Sequence, residues 1–103
     1  MTKSHFKILR KWYPEQTKDT FLAMQKGEDA RYHVGPSLDG CGMLGSVMRL
    51  LSDEGYVVLY QRNSEPAQDR HHVRQTAYFV RRTAKPTRRD VVDQIFNTYG
   101  VIR

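Results

Sequence analysis

MRLLSDEGYVVLYQRN, Met48 to Asn63, reads as the end of a helix running into a strand, with Asp53-Glu54-Gly55-Tyr56 at the joint. Upstream of the joint, Met43, Leu44, Val47, Met48, Leu50 and Leu51 form an apolar stripe near the 3.6-residue period. Gly45, Ser46, Arg49, Ser52 and Asp53 fall on its outer side, and Gly55 marks its end. Downstream, Val57 to Gln61 is β-branched and aromatic, the composition of a strand. A helix that passes straight into a strand occurs in several folds, so the neighbouring segments have to decide between them.

On the C-terminal side, Asn63 to His71 contains Pro66 and several polar residues and reads as a loop. Val73 to Arg82 reads as a second strand, with Thr76, Tyr78 and Val80 on one side and Ala77, Phe79 and Arg81 on the other. The two strands make a long β-hairpin. Pro86 and Thr87 open a last helix over 87–99, with Val91, Val92, Ile95, Phe96 and Tyr99 on its apolar face.

On the N-terminal side, Asp39-Gly40-Cys41-Gly42 is a turn, and Pro36 opens a single helical turn before it. Tyr32 and Val34 suit a very short strand. A helix with Thr17 as its cap carries Phe21, Leu22 and Met24 and stops at Gly27. From Ser4 to Tyr13, Phe6, Leu9 and Trp12 recur at helical spacing, with Lys3, Lys7, Arg10 and Lys11 outward and Pro14 as terminator.

The 103 residues suit one domain, 1–103. Hydrophobic residues make up 39% and charged residues 27%, which suits a globular chain, and no apolar run reaches the ~18 residues of a membrane span. The apolar part of the N-terminus is too short and interrupted for a secretory signal. The single cysteine, Cys41, forms no internal disulfide and fits a reducing cytoplasm, the expected location. His5, His33, Cys41, His71 and His72 show no metal-ligand spacing, and no glycine-rich phosphate loop is present, so neither metal nor cofactor is expected.

The net charge is +6. Residues 1–18 carry five Lys/Arg against one acid, 19–55 three against six, and 62–89 eight against two. Two basic flanks around an acidic centre are an electrostatic footprint for a polyanion, in the first instance nucleic acid.

In element order the chain resembles small winged-helix (helix-turn-helix) DNA-binding proteins of phage or prophage type. Leu22, Gly27, Met48, Leu51 and Gly55-Tyr56 carry the likeness, which covers roughly residues 17–82. The resemblance implies an α+β fold: a three-helix core, a long two-stranded wing and an extra C-terminal helix. It implies a non-enzymatic regulator that binds double-stranded DNA. Ser46 and Arg49 of the recognition helix would meet base edges. Arg62, Arg70, Arg74, Arg81 and Arg82 on the wing, with Lys7, Arg10 and Lys11 on the flank, would neutralise phosphates.

Two alternatives stay open. EGYVVLYQR followed by His71 and His72 resembles the small toxin ribonucleases of the HicA type, in which a histidine beside a strand cleaves RNA. The other is an interaction module. Tyr13, Trp12, Tyr32, Tyr56, Tyr60, Tyr78 and Tyr99 are more aromatics than a small core buries with satisfied hydroxyls, and exposed Tyr and Arg suit protein partners or stacked single-stranded bases. The 87–99 helix either packs on the hairpin or pairs with a second copy as a homodimer.

Overall fold

The joint at Gly55 is a Schellman turn. In the computed structural model, which describes residues 6–63 and 75–101, helix α2 spans Met43–Asp53 and strand β3 spans Val57–Asn63. Gly55 sits at φ +85°, the left-handed conformation that glycine adopts most cheaply. Its N–H donates to Ser52 O at 2.9 Å and Tyr56 N–H donates to Leu51 O at 2.9 Å, the paired bonds that close a helix C-terminus. Tyr56 and Leu51 are both fully buried, so the turn also has its apolar clasp. The chain therefore enters β3 in a fixed direction.

The other elements are strand β1 (Phe6–Ile8), helix α1 (Pro14–Ala23), strand β2 (Asp29–Gly35), a 3-10 turn (Leu38–Cys41), strand β4 (Thr76–Arg82) and helix α3 (Arg89–Val101). The strands form one sheet in the order β1-β2-β4-β3. β1 pairs parallel to β2; β2 and β3 flank β4 antiparallel. A bulge between Arg31 and His33 adds Tyr32 to β2 and turns that ring into the core. Ala30, Tyr32, Val57 and Val80 from one sheet face meet Phe21, Leu44, Met48, Leu51, Val92 and Phe96 from the helices. All three helices lie on that face.

The α+β class holds, as do the helix at Met43, the hairpin strands and the C-terminal helix. The N-terminal expectation does not. Phe6–Ile8 is a strand, because alternating Phe6 and Ile8 can pair with the open edge of β2, and Leu9 is buried just beyond it. Pro14 opens α1 rather than ending a helix; at a first helical position its missing N–H costs nothing. Thr17 is not a cap but a buried residue, its Oγ1 donating to Arg10 O at 2.8 Å and accepting from Arg10 N–H at 3.1 Å.

The middle helix of the expected three-helix core, the single turn opened by Pro36 ahead of the recognition helix, is one 3-10 turn of four residues, and the third α-helix of the core is α3. Val92, Ile95, Phe96 and Tyr99 of α3 are buried, packed chiefly against α1 and α2. Tyr99 donates to Arg10 O at 2.7 Å, and Lys18 pairs with Asp93 at 2.9 Å. The apolar face that the homodimer alternative would use is thus occupied within the chain.

Arg82 is a second correction. It points to the helix side of β4 and is 6% exposed, too enclosed to reach a phosphate. Its guanidinium donates to Tyr56 O (3.1 Å), Thr83 O (3.0 Å), Lys85 O (3.0 Å) and Thr87 Oγ1 (2.6 Å). It lies 5.4 Å from the ring centres of both Phe21 and Tyr56. Burial lowers its pKa, but an arginine in this site stays charged. Its neighbour Arg81 points to the opposite face. Arg82→Ala should therefore cost about 3 kcal/mol or more, lowering the melting midpoint by about 10 °C or more. Arg81→Ala, which removes an exposed side chain and its ion pair, should lower the midpoint far less. Thermal unfolding of the two variants checks this contrast.

Candidate nucleic-acid interface

The sheet register sorts the open face, the side away from the helices, into rows. Phe6, Asp29, Arg81 and Val58 lie opposite one another across the four strands. Ile8, Arg31, Phe79 and Tyr60 form the next row, and Val34, Ala77 and Arg62 the third. Val58 is 54% exposed and Ile8 41%, so no helix among the described residues covers this surface.

Aromatic rings and guanidinium groups interleave there. Tyr60 stacks on Phe79, with centroids 5.2 Å apart and planes 13° apart. Phe6 meets Phe79 edge-on at 5.3 Å. Arg31 lies 5.4 Å from the Phe6 ring, Arg62 4.9 Å from Phe79, and Arg81 5.2 Å from Tyr60. Each pairing is a cation–π contact, with a planar cation held over an aromatic face. The rings and arginines together enclose Phe79, which is 3% exposed although it lies outside the main core.

Asp29 is the one acid among these residues. It takes Arg81 in a two-pronged bond, Nε to Oδ1 at 2.7 Å and Nη2 to Oδ2 at 3.1 Å, and Tyr60 Oη donates to Oδ2 at 2.6 Å. The Arg81 guanidinium, helped by the Tyr60 hydroxyl and opposed by partial burial, holds the Asp29 carboxyl below the usual carboxylate range. Burial and the bond to Asp29 push the Tyr60 hydroxyl up. Arg31 and Arg62 have no carboxylate partner among the described residues.

The expected contact residues are scattered. Arg62 and Arg81 lie on the open face. Ser46 and Arg49 are exposed on α2, but Arg49 faces Asp53 at 3.6 Å, one turn on. Lys7 is opposite Ala30 and points to the helix side. Arg10 and Lys11 line a groove of about 1340 Å³ with Trp12, Tyr13, Met43 and Tyr99. Lys11 Nζ there donates to Gly40 O at 2.6 Å and lies 4.7 Å from the ring of Trp12, itself 76% exposed. Arg70, Arg74, His71 and His72 lie outside the described residues. Cys41 is buried, and burial raises its thiol pKa, which disfavours the reactive thiolate.

Phe6, Asp29, Arg31 and Phe79 are not among the contact residues expected from the sequence, and Tyr60 is expected there only as one of the surplus aromatics. The alternation Val58, Tyr60, Arg62 was a signal within β3, but only the register brings Phe6 and Arg31 beside it. Comparison with protein-family models, with curated proteins and with solved structures returned no match. Among the described residues no helix is long and apolar enough to cross a membrane, and no group of three His, Cys, Asp or Glu could hold a metal ion.

The Asp29 site carries a pH dependence. Because its carboxyl is lowered in the folded chain, the unfolded chain binds more protons between the folded value and the ordinary aspartate value of 3.8. The stabilisation is present above that range and lost as pH falls through the folded value. Asp90 and Asp93, bonded to Arg88 and Lys18, shift in the same direction. Asp29→Asn should thus be less stable than the parent at neutral pH and lose stability less steeply below about pH 4. Urea unfolding of both proteins from about pH 3 to about pH 6 measures the difference.

Proposed function

We propose that this chain binds nucleic acid and that the open face of its sheet is the main contact surface. The observation that carries this reading is the pair Arg31 and Arg62, cations held over aromatic rings on a face that no helix among the described residues covers. Three arginines against one aspartate make the face net basic, in keeping with the +6 of the whole chain. Guanidinium groups suit phosphates because their N–H edge matches two oxygens at once.

Duplex DNA is the partner that the order of elements suggested, with α2 as the reading helix. The geometry favours that mode less. Arg49 is engaged with Asp53, and the neighbouring Glu54 adds negative charge at the same helix end. Ser46 remains as one exposed polar side chain near the start of the helix. Arg82 supports the fold rather than a phosphate. The non-enzymatic reading stays part of the proposal.

Fluorescence anisotropy on labelled duplex DNA, single-stranded DNA and single-stranded RNA across a salt series tests it. Binding should weaken steeply with salt. Arg31→Ala combined with Arg62→Ala should lower the log–log slope by about 1.4 to 1.8, since each phosphate contact contributes about 0.7 to 0.9. Absence of salt-dependent binding to every probe would overturn the reading. RNA that shortened during the assay would replace it with the ribonuclease alternative.

A further inference from the structure

We infer that the open face takes single-stranded nucleic acid and stacks unpaired bases on Phe6 and Tyr60, the two half-buried rings that flank Phe79. This inference rests on the nucleic-acid reading of the same surface. Two geometric facts separate a single strand from a duplex.

The first is width. Four strands at ~4.8 Å spacing span about 14 Å between the outer backbones, before side chains are added. The major groove of duplex DNA is about 12 Å wide and admits a helix or a two-stranded ribbon. β4 is paired with β2 on one side and with β3 on the other, so within the described residues β3 and β4 form no separate ribbon. The sheet face would meet a duplex only along its outer phosphates, where aromatic rings contribute little.

The second is chemistry. A duplex hides the flat faces of its bases within the stack, whereas a single strand presents them. Every base has such a face, so aromatic platforms bind single strands with little sequence preference. Tyr60 and Phe6 are half-buried at the two ends of the aromatic row, and Phe79 fixes both rings between them. The guanidinium planes of Arg62 and Arg81, held over Phe79 and Tyr60, are stacking surfaces themselves, and Arg62 keeps its N–H edge for a phosphate. Val58, Ile8 and Val34 extend the platform with exposed apolar area. Rings for bases, unpaired cations for phosphates and an uncovered face are what a single strand requires.

The test compares probes of equal length on the unaltered protein. An oligonucleotide of about ten residues, as RNA and as DNA, is set against an abasic chain of the same length and a duplex of the same length. Base-bearing single strands of at least one sugar type should bind about tenfold or more tighter than the abasic chain, and tighter than the duplex. Tyr60→Leu should lower single-strand affinity about fivefold or more with an unchanged salt slope, while Tyr60→Phe, which keeps the ring and loses the bond to Asp29, should bind as the parent does. Thermal unfolding confirms that each variant is folded; if Tyr60→Leu is not, the abasic comparison decides. Equal binding of base-bearing and abasic chains, or a duplex bound as tightly as either single strand, would overturn this inference and leave the electrostatic reading standing. Failure of every probe to bind would overturn both.

Discussion

The buried guanidinium of Arg82 holds the corner on which the rest of the fold depends. The end of β4, the Tyr56 carbonyl after the Schellman turn and the segment leading to α3 all converge on it. Burying a charge without a counter-charge is costly, and four oxygen acceptors and two aromatic faces offset that cost here. Tyr56 belongs to the same corner through its hydroxyl, which accepts the Arg88 N–H at 3.1 Å. With the corner fixed, α3 returns across α1 and α2 and all three helices stay on one side of the sheet. The other side is left uncovered, and that is where the candidate interface lies.

Arg81 and Arg82 show how one strand serves both roles. The two-residue period of β4 sends adjacent arginines to opposite faces. One completes the core, and the other braces Asp29 and lies over Tyr60. Their identical chemistry in the sequence hides the difference, because what separates them is burial. The charge map changes in the same way. The acidic middle of the chain is not a single patch: Asp29 is absorbed by Arg81, Asp53 faces Arg49 at the end of α2, and Asp39 lies in the turn before α2. What remains on the sheet face is net basic.

The parts of the fold legible in the sequence were those with long, unambiguous periods. α2 has an apolar stripe over three turns and a glycine stop; α3 has a comparable stripe; β3 and β4 are rich in β-branched and aromatic residues. The N-terminal third was misleading for a physical reason. Phe6, Leu9 and Trp12 are spaced as on a helix, yet a short strand followed by a turn also buries Leu9 and leaves Trp12 outside. Proline fits both the end of one helix and the start of the next, and Pro14 takes the second role. The candidate site was legible as net charge and as an excess of aromatics. Which arginines remain free of carboxylates depends on Arg49–Asp53 and Arg81–Asp29, and the second of these joins residues 52 positions apart.

The claim at the centre of this account is that binding occurs on the strands, not on α2. Mapping amide NMR shifts of the labelled protein during titration with a single-stranded oligonucleotide tests it most directly. The account expects the changes to concentrate at Phe6, Arg31, Tyr60, Arg62 and Phe79. Changes centred on Ser46 and Arg49, with the strands unmoved, would contradict it and return the recognition helix to the role that the sequence order suggested.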